Sequence, residues 1–165
     1  MGLSGGRDAP LDGVRVLLVE DHPMVREVIS QLLAEFGAAV TAAPGVAEAL
    51  KAFERERPDV VLSDIDMPDQ DGYALIRKLR ALPRDQGGHT PAAGLTGLGT
   101  DAHGSRMVEA GFQSYVAKPV DARLLVSVVA TLAARTRIAR KSVAHTRPYL
   151  PSEARSGTMT APSPG

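Results

Sequence analysis

The chain contains no cysteine, which excludes disulfides, thiol catalysis and thiolate metal sites. That absence fits a reducing, cytoplasmic setting. Tryptophan is missing too and only 4% of the residues are aromatic, so a core drawn from the 44% that are hydrophobic is built from aliphatic side chains. The longest apolar stretch, Leu124 to Ala134, is too short to span a bilayer and is broken by Ser127 and Thr131. Residues 1–13 carry Asp8 and Asp12 and no apolar h-region, which argues against a secretory signal. No membrane insertion is expected. The four histidines, His22, His89, His103 and His145, form no pair at metal-ligand spacing.

Against those absences stands a regular alternation of short apolar runs and helical stripes. Runs at 15–19, 39–42, 60–63, 92–95 and 114–117 read as buried parallel strands. Between them, Val25, Val28, Ile29, Leu32, Leu33 and Phe36 recur at helical spacing before Gly37, and Val46, Ala49, Leu50 and Phe53 repeat the pattern before Pro58. Leu75, Ile76 and Leu79 form a third stripe, and Met107 and Ala110 a weaker fourth on a segment containing Gly104. Leu124, Leu125, Val128, Val129 and Leu132 mark the fifth, with Val120 and Val126 off its main stripe. Five strand–helix repeats of this kind predict an α/β domain with a doubly wound parallel sheet.

Chemistry is expected where the apolar runs stop. Arg15 to Val19 runs into Glu20-Asp21, Val60 to Ser63 into Asp64, and Ser114 to Ala117 into Lys118-Pro119. A parallel sheet gathers these ends at one edge, the place where open α/β sheets put their ligands. Carboxylates about 6 Å apart repel by ~2–3 kcal/mol at an effective dielectric of 20, so the cluster calls for a cation. Oxygen ligands, few in number at a solvent-open edge, suit Mg²⁺, which keeps several waters and often shares its shell with a phosphate.

The acidic pair Glu20-Asp21, the string D-x-x-M-P-x-x-D-G from Asp64 to Gly72, Thr96 closing the run Ala92-Ala93-Gly94-Leu95, and Tyr115 ahead of Lys118-Pro119 stand in an order and spacing that resemble the response regulator receiver domain of two-component signalling. The likeness covers about Val14 to Ala134. The stretches 54–82 and 110–119 are most similar to receivers at the C-terminal end of hybrid sensor histidine kinases. The resemblance implies a flavodoxin-like, five-stranded sheet of order 2-1-3-4-5 with five helices.

It also implies the roles of the site residues. Asp64 is the phosphoacceptor nucleophile. Asp21 binds Mg²⁺ directly and Glu20 through water, with the backbone carbonyl of Asp66 as a further ligand. Glu20 departs from the Asp that many receivers carry there. Lys118 neutralises phosphoryl charge, and its bond to Pro119 is cis by analogy. Thr96 and Tyr115 form the switch, Thr96 bonding the phosphoryl oxygens and Tyr115 turning inward with it. Gly97 leaves the pocket open to a donor, and Gly97-Leu98-Gly99 makes the neighbouring loop pliant. The expected donor is a histidine kinase or a histidine phosphotransfer protein. A downstream partner is expected on the face formed by residues 101–132, with a phosphorylation-dependent homodimer as a further use of it. Such a chain is a signalling module that catalyses only its own phosphorylation and dephosphorylation.

Two other readings remain open on sequence alone. A pseudo-receiver would bind partners without phosphorylation, although every expected site position holds a competent residue. The segment from Val60 to Asp66 also resembles the first motif of haloacid-dehalogenase-type phosphatases, with Asp64 as nucleophile and Asp66 as acid/base, but that family places its motif near the N-terminus and follows it differently from Met67-Pro68.

Residues 1–13 are read as a flexible N-terminal extension and 14–136 as the domain. From 137 to 165 there are five basic residues (Arg137, Arg140, Lys141, Arg147 and Arg155) against Glu153, four prolines and little apolar periodicity. This stretch is read as a disordered basic tail. It is too short for a helix-turn-helix, so no direct nucleic-acid binding is expected.

Overall fold

The structure, a computed structural model, describes residues 9–97 and 100–145. Its elements run β1 (Arg15–Val19), α1 (Pro23–Glu35), β2 (Ala39–Ala43), α2 (Val46–Glu56), β3 (Val60–Asp64), α3 (Gly72–Arg80), β4 (Ala92–Thr96), α4 (Thr100–Ala110), β5 (Ser114–Ala117) and α5 (Ala122–His145). The strands form one sheet in the order β2-β1-β3-β4-β5, and every pairing is parallel. This is the flavodoxin-like arrangement that the resemblance implies.

Residues on successive positions of a strand face opposite sides, and the core follows that rule. Val16, Leu18, Val60 and Leu62 pack with Ile29 and Leu33 of α1 and Leu125, Val129 and Leu132 of α5. Leu17, Val19 and Val61 pack on the other side with Val46, Ala49 and Phe53 of α2, Leu75, Ile76 and Leu79 of α3, and Met107 of α4. The sheet is thus covered on both faces. Every residue of β3 is buried, so its C-terminal carboxylate emerges from a strand with no freedom to slide.

Helical periodicity locates a face without fixing its margins, and three apolar residues fall differently from the sequence reading. Val28, assigned to the buried stripe of α1, is 63% exposed. Leu124, assigned to the stripe of α5, is 50% exposed, whereas Val126, placed off that stripe, is 8% exposed and belongs to the core.

Both ends of the domain reach further than the sequence reading placed them. Within the segment read as a flexible extension, Leu11 is fully buried and its backbone N–H donates to Phe36 O at 2.9 Å. At the other end, α5 continues nine residues past Thr136 to His145, so the tail does not begin at 137. Arg140 explains this extension: its Nη1 lies 2.7 Å from Oδ1 of Asp59, whose side chain is only 4% exposed at the start of β3. Thr136 Oγ1 donates to Asp59 O at 2.7 Å, and Arg137 Nη2 to Asp12 O at 2.8 Å. Residues 1–8 and 146–165, the rest of the two proposed terminal segments, lie outside the described residues, as do Leu98 and Gly99.

Candidate functional site

Four strand ends converge at the C-terminal edge of the sheet. β1 delivers Glu20 and Asp21, β3 delivers Asp64, β4 ends on Thr96, and β5 leads into Lys118. The register aligns Val19 with Ser63, Asp64 with Leu95, and Thr96 with Ala117, which brings these residues to one level. Carboxylate oxygens of Glu20, Asp21 and Asp64 all lie within 4.8 Å of one another.

Lys118 is the counter-charge. Its Nζ is 2.8 Å from Glu20 Oε2 and 3.3 Å from Asp64 Oδ2, and Glu20 and Asp64 are 1% and 4% exposed. The lysine is aimed by its backbone, since its N–H donates to Thr96 O at 2.7 Å and the Lys118–Pro119 bond is cis. Burial pulls the Lys118 pKa down, but the hydrogen bond to Glu20 and the charge of Asp64 outweigh it and hold the ammonium above its usual value. Burial pushes Asp64 up to about 6 from 3.8, and Glu20 adds to the rise, while Lys118 and the N–H of Asp66 oppose it. Asp64 in the free protein is therefore a weakly held carboxylate awaiting positive charge.

Surrounding groups fix the carboxylates in place. Asp66 N donates to Asp64 Oδ1 at 3.1 Å, and His22 N donates to Glu20 Oε1 at 3.3 Å. Arg26 of α1, which the sequence reading did not single out, donates to the carbonyls of Glu20 at 2.9 Å and Asp21 at 3.4 Å. Asp71 caps α3 by accepting from Ala74 N at 2.9 Å. Gly72 follows it because a Cβ there would stand 2.5 Å from the carbonyl oxygen of Asp64. The D-G pair of the motif thus starts a helix hard against the strand that carries Asp64.

Thr96 is fully buried at the end of β4, while Tyr115 on the edge strand β5 is 38% exposed. The Asp66 side chain points to solvent. The structure therefore brings Glu20, Asp21, Asp64 and Lys118 into one cluster with Thr96 on its border, and leaves Tyr115 at the surface. An all-oxygen set of three carboxylates is the donor chemistry that Mg²⁺ takes, so the residues present fit that ion.

A doubly wound sheet with an acidic cluster and a lysine at its C-terminal edge defines an α/β domain with its site at the strand ends, its carboxylates set to take a cation. The comparison with known families narrows it. The model of the response regulator receiver domain matches residues 16–130, and the chain belongs to that family of two-component signalling modules. It is 39% identical over 114 residues to an uncharacterized 14.6 kDa protein of Leptolyngbya boryana, covering 69% of this chain and 86% of that one. It is 33% identical over 129 residues to the sensor histidine kinase RcsC of Salmonella typhimurium, covering 78% of this chain but 13% of the kinase. Among solved structures, the receiver domain of a sensor histidine kinase from Pseudomonas aeruginosa PAO1, which has a magnesium ion coordinated in its active site cleft, superposes with a TM-score of 0.67 at 31% identity, covering 74% of this chain and 98% of that one. The signal receiver domain of a histidine kinase from Syntrophus aciditrophicus gives a TM-score of 0.66 at 32% identity, over 73% and 90% of the two chains. No helix among the described residues is long and apolar enough to cross a membrane.

Proposed function

We propose that this receiver accepts a phosphoryl group on Asp64 from a histidine kinase or histidine phosphotransfer protein, with Mg²⁺, and changes its partner binding in response. The observation that carries this reading is the placement of the buried Asp64 carboxylate at a strand end, 3.3 Å from Lys118 Nζ and within 4.8 Å of Glu20 and Asp21 oxygens.

The chemistry follows from those positions. An Asp64 carboxylate oxygen forms the new O–P bond as the donor's P–N bond breaks, and the imidazole leaves with the electron pair. Phosphoryl transfer asks mainly for positioning and charge neutralisation. Lys118 supplies a hydrogen-bonding cation to the incoming phosphoryl oxygens, and the hydroxyl of Thr96 a further donor. Glu20, Asp21 and the carbonyl of Asp66 would hold Mg²⁺ together with Asp64, and when bound the ion supplies the rest of the positive charge. Asp66 takes no acid/base part in this scheme.

The surface supplies two faces for partners. Met24 and Val28, one turn apart on α1 directly after the acidic pair, are 72% and 63% exposed and give a donor protein an apolar landing beside Asp64. Val108 of α4, Tyr115 of β5 and Leu124 of α5 are exposed at 68%, 38% and 50% along the 101–132 segment. That second face is the proposed output surface, for a downstream protein or a second phosphorylated copy, with Thr96 and Tyr115 as the switch. The chain works in the cytoplasm on this reading, without direct nucleic-acid contact. Incubation with acetyl phosphate and Mg²⁺ tests it by mass spectrometry: one phosphoryl group is expected on the chain and none on Asp64→Asn. Equal labelling of that variant would remove Asp64 from its role.

A further inference from the structure

The opposite, N-terminal edge of the sheet carries a second concavity that the phosphoacceptor chemistry does not use. The five-residue β3 separates it from Asp64 by ~13 Å of strand. Its volume is about 720 Å³, within the roughly 300–1,000 Å³ range of small-molecule sites. Four separate parts of the chain wall it: α2 with the turn after it, the 84–91 connection between α3 and β4, Gln113 before β5, and residues 135–140 of α5.

Four arginines line this cavity, Arg57, Arg84, Arg135 and Arg140, with Asp85 as the acidic residue among its lining. Arg140 is committed to the buried Asp59. Arg57 reaches only a backbone oxygen, that of Asp85, at 3.5 Å. The side chains of Arg84 and Arg135 make no hydrogen bond or ion pair with any described residue. In a chain with 19 basic and 19 acidic residues, three guanidinium groups without a carboxylate partner, Arg57, Arg84 and Arg135, against the single lining carboxylate of Asp85 are a local excess of positive charge. Guanidinium forks match phosphate oxygens in pairs, which distinguishes such a site from a generic basic surface. Phe53, Pro58 and Pro91 contribute buried apolar and ring surface to the same cavity, a wall suited to a flat apolar body.

We propose that this cavity is a second ligand site, which binds a phosphorylated small molecule of nucleotide size. Its phosphoryl groups sit on Arg84 and Arg135, and its ring portion lies against Phe53 and the prolines. The site is independent of Asp64 and does not rest on the phosphoacceptor reading.

Titration of the full chain with ADP tests the proposal by amide chemical shifts and calorimetry, in EDTA so that no metal–nucleotide complex can form at the acidic cluster. Saturable shifts are expected at Arg57, in 84–90 and in 135–140, with a dissociation constant below about 1 mM. The double variant Arg84→Gln/Arg135→Gln should weaken binding by about tenfold or more. Both side chains are exposed and uncommitted, so its melting temperature should match that of the parent. Adenosine, which lacks the phosphates, should not bind. The proposal is overturned if ADP gives no saturable shift up to about 10 mM, if the double variant binds it equally well, or if the shifts cluster around Asp64. It is equally overturned if a glutamate-rich peptide occupies the cavity while ADP does not.

Discussion

Lys118 is closer to Glu20 than to Asp64, with Nζ–O distances of 2.8 and 3.3 Å. The residue that departs from the usual aspartate is therefore the one that holds the lysine in the free protein. A glutamate has one more methylene than an aspartate, and that reach takes its carboxylate across to Lys118. On the proposed reaction, phosphorylation draws the ammonium away from Glu20 toward the new phosphoryl oxygens.

The first prediction follows from this competition. Burial raises the Asp64 pKa and the Glu20 charge raises it further. Glu20→Gln removes the second cause, so the Asp64 carboxyl should titrate at lower pH than in the parent, followed by carboxyl NMR in the absence of Mg²⁺. An unchanged midpoint would show that burial alone sets the shift.

The same raised pKa makes stability depend on pH. An unfolded Asp64 loses its proton near 3.8 while the folded one keeps it to about 6. Between those values folded Asp64 binds more protons, so its own contribution to metal-free stability falls as pH rises, by on the order of 2–3 kcal/mol across the window. Asp64→Asn should lack this fall and be the more stable protein at pH 7. Added Mg²⁺ should flatten the parent's curve by binding the ionised form. Denaturant melts at pH 4 and pH 7, with and without Mg²⁺, check the sign; a parent that gains stability relative to Asp64→Asn from pH 4 to 6 would contradict it.

Arg140 anchors the end of α5 to a buried carboxylate. Arg140→Ala leaves Asp59 with only the N–H of Arg15, which donates to its Oδ2 at 2.9 Å. Because the arginine is 56% exposed, solvent replaces part of the interaction, and a loss of about 1–2 kcal/mol is expected, or several degrees in melting temperature. Truncation after Thr136 should cost at least as much. A truncated chain as stable as the parent would mean that residues 137–145 add nothing to the domain.

Signalling gives the fourth prediction. Beryllofluoride, a phosphoryl mimic, should shift amides along 101–132 as well as those around Asp64 and Thr96. Tyr115→Ala should leave phosphoryl uptake intact and reduce the response of α4 and α5. Silence of 101–132 in the parent would refute the output face.

The strands were legible as short apolar runs bounded by turns, and the runs at 15–19 and 114–117 coincide with β1 and β5. Only β3 and β4 are buried throughout, however, because β2 and β5 are the edges of the sheet and expose part of their length. The acidic cluster was equally legible, since topology alone carries strand ends to one edge. The edges of helical faces were not. Leu124 and Val126 differ by two positions, about 200° around a helix, and the packing of α5 decides which of them the sheet covers. The pairing of Arg140 with Asp59 joins residues 81 apart and has no local signal. Arg26 escaped notice because its hydrogen bonds go to backbone carbonyls, which leave no mark on side-chain patterns.

Gly72 opens α3 and Gly97 follows β4, and their surroundings differ in kind. A methyl group on Gly72 would collide with Asp64's own carbonyl, whereas one on Gly97 would meet nothing within 4 Å. The site is therefore built like a vice with one fixed jaw. The jaw formed by β3 and the start of α3 cannot yield without moving Asp64, so on the proposed reaction the room for a phosphoryl group lies at Gly97, just after β4. On the proposed reaction, a change in the chemical state of Asp64 would pass toward α4 and β5 and not toward α3.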